Sequence, residues 1–198
     1  YPEDTLIDLV AYAKSLLPRY VRLQRIQRDI PARLIVAGSR HSNFRQLCQQ
    51  RLAAMGGACQ CIRCREAGRS EGGGAEELSS FSYDAAGGRE HFISVVSGDA
   101  LIGFARLRTG GERWREETEG SALLRELHVY GSVVPLGSSP SAEQRQHRRF
   151  GKTLLSAAEE TAAAEGYPGI AVMSGIGVRP YYRRHGYERR GPYMHKKL

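Results

Sequence analysis

Cysteine is scarce in this 198-residue chain, and the four present, Cys48, Cys59, Cys61 and Cys64, fall within one 17-residue window. A disulfide framework would spread them along the chain, and a chain of this length needs no such staples. Their clustering predicts reduced thiols and a cytoplasmic setting. Long apolar runs are also missing. With no stretch of about 18 apolar residues, a membrane-spanning helix is not expected. There is no charged-then-apolar leader pattern and no internal repeat. The first residue is Tyr1 and the pattern opens in mid-course, so a piece of a longer polypeptide is expected.

Acidic residues are short in the first third. Residues 1–70 hold 12 basic against 5 acidic side chains, whereas residues 71–198 hold 17 against 16. Almost all of the formal +8 therefore sits in the first third, pointing to a polyanion-facing surface with nucleic acid as the leading partner. A merely soluble, Arg-rich chain is the bland alternative. A hydrophobic content of 41% is compatible with a packed core, in one medium domain or one small domain plus a fragment.

Along residues 4–17, Leu6, Leu9, Val10, Ala13, Leu16 and Leu17 form a helical stripe that Pro18 ends. Val21–Ile26 and Leu34–Ala37 read as short strands. A helix capped by Ser42 should run to Met55 and close on Gly56 and Gly57. Residues 67–79 are small, polar and glycine-rich, which places a boundary between units 1–70 and 71–198. Beyond it, Leu78–Tyr83 and His91–Val96 suggest a hairpin. Ala100–Leu107 and Ala122–Val134 continue as strands, with a charged loop over 109–121. A helix over 143–165, a strand Ile170–Ser174, a helix Arg179–His185 and a last strand Tyr187–Lys197 complete the order. The class is α/β in the α+β sense: a mixed, mostly antiparallel sheet flanked by helices.

The chemistry concentrates in four places. Gln146, His147, Arg148, Arg149, Phe150, Gly151 and Lys152 form a basic, glycine-containing loop running into a long helix, whose unpaired N–H groups suit a phosphate. Glu126 and His128 lie two apart on one strand, hence on one face, and suit proton transfer or water positioning if that face meets a cleft; a solvent-facing pair is the alternative. Cys59, Cys61 and Cys64 offer three soft ligands at a spacing compatible with zinc, with His41 preferred over Cys48 as a fourth. Free cysteines are the bland reading. Arg19, Arg22, Arg25, Arg28, Arg33, Arg40, Arg45, Arg63 and Arg65 crowd the first third and could line a phosphate-tracking groove.

Several segments together carry a resemblance: Arg25–Pro31, His41–Asn43, Cys59–Glu66, Leu124–Pro135, Gln146 and His147 with Phe150 and Gly151, Arg179–Tyr187, and Gly191–Met194. Residues 78–198 resemble a GNAT-type acetyltransferase domain. The whole chain resembles the C-terminal portion of the elongator catalytic subunit family, which joins radical-SAM chemistry to an acetyltransferase and modifies the wobble uridine of tRNA. The resemblance implies a GNAT fold preceded by the end of a radical-SAM-like α/β domain. It also implies acetyl-CoA as cofactor, with Glu126, Leu127, His128 and Val129 beside the pantetheine, Gln146–Lys152 on the diphosphate, and Tyr182, backed by Tyr181, near the thioester sulfur. The expected partners are the anticodon arm of tRNA (through Arg25, Arg28, Arg40, Arg63 and Arg65, extended by Arg183, Arg184, Arg189 and Arg190), the radical-SAM region, and other elongator-type subunits.

Two departures matter. Arg149 stands where the family carries the first glycine of Gln-x-x-Gly-x-Gly; its side chain would either crowd the cofactor or add a charge-assisted contact to the diphosphate. The Cys-x-x-x-Cys-x-x-Cys motif of the 4Fe-4S cluster, which serves S-adenosylmethionine in the complete family member, does not occur among these residues. Two other functions compete: a protein-lysine N-acetyltransferase with Glu126 as base, and a non-catalytic RNA-binding module whose pocket Arg149 blocks.

Overall fold

A computed structural model describes residues 1–28, 30–69, 73–112, 115–130 and 142–198, without the side chains of residues 142–148. The chain divides into two compact units, Tyr1–Ser70 and Glu71–Leu198.

In the first unit the apolar stripe produces helix α1 (Glu3–Ser15), which ends before Pro18 and buries Ile7, Ala11 and Lys14. Helix α2 (Phe44–Ala54) buries Phe44, Cys48 and Leu52. Ile7 meets Phe44 and Cys48, while Ala11 meets Leu52, Cys59 and Cys61, so the two helices pack along one seam. The residue before α2 is Asn43 rather than Ser42, and no side chain caps the helix; the Asn43 carbonyl accepts from the N–H groups of Gln46 and Leu47. The two strands expected here do not form. Residues 21–26 are irregular, and a 3-10 turn occupies Ala32–Leu34, just after Pro31. A strand needs a ladder partner for its N–H and C=O groups, and this unit contributes none among its described residues. Instead, Val21 O accepts from Ile62 N (2.9 Å), which ties the segment to the short helix α3 (Ile62–Arg65).

The second unit is built on seven strands: β1 (Glu76–Ala85), β2 (Gly88–Ser97), β3 (Ala100–Gly110), β4 (Ala122–Val129), β5 (Gly169–Val172), β6 (Glu188–Arg190) and β7 (Tyr193–Lys197). Their order across the sheet is β1-β2-β3-β4-β5-β7-β6. Only β4 and β5 run parallel; every other neighbouring pair is antiparallel. The expected hairpin between β1 and β2 turns through Ala86 and Gly87, with φ of 46° and 71°. Positive φ at both central residues matches the right-handed twist of the strands. The strand expected over Tyr187–Lys197 is instead a hairpin, because Gly191 takes φ 58° and reverses the chain between β6 and β7. Within the charged loop a 3-10 turn forms at Glu116–Thr118. The expected extension of β4 to Val134 lies outside the described residues beyond Tyr130.

Helix α4 (Ala142–Ala164) covers one face of the sheet. Phe150, Leu154, Leu155, Ala158 and Ala162 fall on one side of it and pack against Ile93, Val95, Ala105, Leu107, Ala122, Leu124, Ile170 and Val172. Each large side chain buried this way contributes about 1.5–3 kcal/mol. Helix α5 (Arg179–Arg183) follows β5 and sends Tyr182 into the same core. Among the described residues no helix is long and apolar enough to cross a membrane.

Candidate active site

Strand β4 carries an open edge. Its parallel ladder with β5 runs from Ala122–Ile170 to Leu124–Val172 and stops there. β4 itself continues to Val129, held by β3 through pairs such as Ala105–Leu127 and Gly103–Val129. Along Arg125–Val129 the other side of β4 meets no strand among the described residues. Main-chain groups left in this way accept an extended ligand as an added strand.

A bulge decides which side chains border that edge. The β3–β4 register shifts between Arg106 and Leu107, so Arg125 has no opposite residue. Before it, Ala122 and Leu124 face α4; after it, Leu127 and Val129 do. Glu126 and His128 therefore share the opposite face, as their spacing predicts. Glu126 Oε1 accepts from Arg106 Nε at 3.0 Å, and its Oε2 lies 3.7 Å from His128 Nε2. His128 also packs on Phe104, with ring centroids 5.2 Å apart. The carboxylate is thus held by a guanidinium while its second oxygen points toward an imidazole. Arg106 was not singled out from the sequence; its place in an apolar strand opposite Glu126 becomes apparent only with the register.

Three tyrosines meet beside α5. Tyr182 stands edge-on to Tyr181 (5.3 Å) and to Tyr187 (5.6 Å). Tyr187 donates its hydroxyl to Glu159 Oε1 (2.8 Å), whose other oxygen takes Lys196 Nζ (2.7 Å). The Tyr181 hydroxyl is buried with no hydrogen-bond partner among the described residues. It lies 3.0 Å from where a β-carbon on Gly151 would stand, a point 3.9 Å from Val129 Cγ2. The orphaned phenol therefore sits between α4 and the end of the open edge. Burial pushes the Tyr182 hydroxyl up to about 12, and burial raises Tyr181 as well. Both phenols hold their protons at neutral pH.

The basic segment before Gly151 differs from expectation. It is helical from Ala142 onward, so Arg149, Phe150 and Gly151 lie inside α4 rather than in a loop at its start. Glu, Gln and Arg are good helix formers, and with Arg149 in place of a glycine only Gly151 weakens the helix there. Phe150 is buried in the core, while Arg149 and Lys152 are exposed. The side chains of Gln146, His147 and Arg148 lie outside the described residues.

In the first unit the ligand atoms of Cys59, Cys61 and Cys64 all lie within 4.8 Å of one another. Hydrogen bonds with the Cys59 and then the Cys64 thiol hold Cys61 below the ordinary thiol range, while hydrogen bonds with Cys59 and then Cys61 raise Cys64 above it. Such a triangle of thiols fits a soft cation. His41 is not part of it: its Nε2 lies 3.4 Å from Glu3 Oε1. Nor is Cys48, which packs in the α1–α2 seam. The group beside the thiols is Lys14, fully buried, whose Nζ lies 3.6 Å from Cys64 Sγ. The sequence signal for Lys14 was its place on the buried side of α1, three residues after Ala11.

Of the arginines expected on an RNA-facing surface, Arg25 and Arg63 line one cavity together with Arg22 and Arg45. Arg65 is buried at 4% exposure, Arg40 donates to Ile35 O (3.1 Å), and Arg28 is exposed. Arg183, Arg184, Arg189 and Arg190 are exposed in the second unit.

Comparison with known proteins agrees with this geometry. Residues 1–54 match the Radical_SAM C-terminal domain, and residues 62–187 match the Acetyltransferase (GNAT) family. The entire chain is 43% identical to the tRNA uridine(34) acetyltransferase of Methanocaldococcus jannaschii, of which it covers 39%. It is also 43% identical to Elongator complex protein 3 of Homo sapiens, covering 38% of that protein. It thus spans about two fifths of the length of the curated relatives it matches. The solved archaeal Elp3 of Methanocaldococcus infernus superposes on the whole chain with a TM-score of 0.87 at 39% identity, over 49% of that structure. A parallel β4–β5 pair that parts beside α4 and the tyrosines of α5, with the GNAT match spanning residues 62–187, places this chain in the GNAT acetyltransferase family, with the C-terminal part of the elongator catalytic subunits as its counterpart.

Proposed function

We propose that this chain binds acetyl-CoA along the open edge of β4 and opens its thioester within an enzyme that carboxymethylates C5 of the wobble uridine of tRNA. The single observation that carries the reading is the juxtaposition of that edge with the orphaned Tyr181 hydroxyl. Main-chain groups of Arg125–Val129 pair with the pantetheine amides as an added strand would. The first half of α4 borders the diphosphate, favoured by the exposed Arg149 and Lys152. Acetyl-CoA supplies an activated acetyl group.

The chain's own residues then divide the work. Glu126, fixed by Arg106 and next to His128, orients a water and takes its proton. Water adds to the thioester carbonyl, the C–S bond breaks, and the departing sulfur receives a proton from a phenol. Of the two candidates, Tyr181 has its hydroxyl against Gly151 and near Val129, while the Tyr182 ring is packed in the core and holds α5 in place. Acetate and coenzyme A are the products when this unit acts alone.

Cys59, Cys61 and Cys64 would hold zinc, which supplies structural cross-linking there. The relatives named above act on tRNA or belong to the Elongator complex, and the arginines of the first unit would face that RNA in the cytoplasm. S-adenosylmethionine and a 4Fe-4S cluster belong to the radical-SAM portion; the cysteine spacing of this chain offers no seat for the cluster, so no step here runs through it.

The test is release of free coenzyme A from acetyl-CoA with and without tRNA. RNA-stimulated release that is lost on Tyr181→Phe supports the proposal. Acetylation of a lysine peptide without RNA dependence would replace it with protein acetylation, and RNA binding with no acetyl-CoA binding would leave an RNA-binding module.

A further inference from the structure

Two cavities in the first unit, of about 510 and 620 Å³, share Ser42, Arg45 and Arg63 and so form one continuous groove. Five guanidiniums border it: Arg22 and Arg25 in the first cavity, Arg69 in the second, and Arg45 and Arg63 in both. The neighbouring carboxylate, Glu66, is shared by Arg22 (2.5 Å) and Arg69 (3.4 Å). Among the described residues the central pair has no such neutraliser. Arg45 is fixed by Nη2, which donates to the carbonyls of Leu23 (2.8 Å) and Gln24 (2.9 Å). Its Nη1 is buried with no hydrogen-bond partner among the described residues, and the same holds for Arg63 Nε. Buried charged donors without acceptors are costly, and a ligand that accepts from both removes that cost.

We propose that Arg45 and Arg63 form a seat for one RNA phosphodiester, and that the groove guides the unpaired strand on either side of it. A phosphodiester carries one negative charge and two unesterified oxygens, which matches two guanidiniums lining the same groove. The rest of the lining favours nucleotides over an acidic peptide. Gln24 and Gln27 on one side, and Gln46 and Gln49 on the other, offer amides that both donate and accept, as base edges require. The concave shape admits a single strand, whose bases are free to meet those amides, rather than a duplex. This seat rests on the reading that the chain acts on tRNA, and it assigns one stretch of that RNA to one groove.

The test uses the whole chain and a fluorescent anticodon stem-loop RNA, followed by anisotropy over a salt series. Arg63→Gln and Arg45→Gln should each weaken binding roughly tenfold and lower the salt slope by about one, whereas Arg33→Gln, outside the groove, should leave it within about twofold. Because Arg45 also holds the Leu23–Gln24 backbone, the decisive arm changes the RNA. With the parent chain, one methylphosphonate position should cost affinity; with Arg63→Gln that position should no longer matter. Uniform losses along the strand, or equal affinity of all three variants, would overturn the seat. So would displacement of the RNA by inorganic phosphate as effectively as by unlabelled RNA, since the seat would then take a free anion. Coenzyme A release without RNA is measured on the parent chain alongside. If the parent releases none while the RNA results hold, the groove stands and the thioester reading falls.

Discussion

The hydroxyl of Tyr181 lies so close over Gly151 that a β-carbon there would come within 3.0 Å of it. Gly151 sits inside α4, where glycine is costly, so a contact rather than helix formation accounts for it. Gly151→Ala should therefore gain little or lose stability in the parent chain. In the Tyr181→Phe background, with the oxygen gone, the same change should stabilise by about 1 kcal/mol. Urea melts of the four chains check this. Identical effects of Gly151→Ala in both backgrounds would mean that the two residues are not coupled.

The same phenol is the proposed proton donor to sulfur. Tyr181→Phe should lower coenzyme A release roughly a hundredfold, in line with the loss of a general acid. Tyr182→Phe should cost less than Tyr181→Phe in rate and more in stability, because its ring lies in the core. A steady-state thiol assay, read beside thermal melts, separates the two. The reverse ranking in rate would transfer the role to Tyr182.

Leu154 is fully buried where α4 meets the sheet. Leu154→Ala should destabilise the second unit by about 2–5 kcal/mol, the usual range for a buried leucine. Denaturant unfolding measures it. A cost below about 1 kcal/mol would show that α4 is not seated as described.

His91 and His195 both titrate below the ordinary histidine range because they are buried, His91 with its ring between Ser82 Oγ (2.9 Å) and Thr109 Oγ1 (3.0 Å). A group that stays neutral in the fold but takes a proton when unfolded makes the unfolded state bind more protons, so stability falls as pH drops through about 6.5. At the alkaline end the sign reverses in pH. Tyr182 keeps its proton to about 12 in the fold, so its share of stability is intact below the unfolded value near 10 and is lost as pH rises through 12. Melts from pH 7 to 5 should show a falling midpoint, with a shallower fall in His91→Gln.

The thiol triangle should take up about one zinc per chain. Cobalt substitution should give thiolate charge-transfer bands that are lost in Cys61→Ser and retained in His41→Ala. Loss of the bands in His41→Ala would restore His41 as a ligand.

Much of this was legible from residue pattern alone. Glu126 and His128 were placed on one face by simple alternation, and the ordered motifs announced the sheet and its long helix. What escaped depended on partners distant in sequence. The short apolar runs near Val21 and Leu34 look like strands, but among the described residues of that unit no strand lies beside them to pair with. Gly191 reads as one more residue of a final strand until its backbone is seen to turn left. The Gln146–Gly151 segment carried a loop signature inherited from glycines, and Arg149 removed one of them. Lys14 is hidden for the opposite reason: its position on α1 looks ordinary, and only its burial beside a thiol reveals it.

The extra residue at Arg125 has a consequence for how the strand tolerates change. Deleting it would leave Leu124 followed directly by Glu126, a plain alternation that keeps Glu126 and His128 on one face and Leu127 and Val129 on the other. A single codon lost there would therefore do less harm than one lost further along the strand, where no spare residue stands to absorb it.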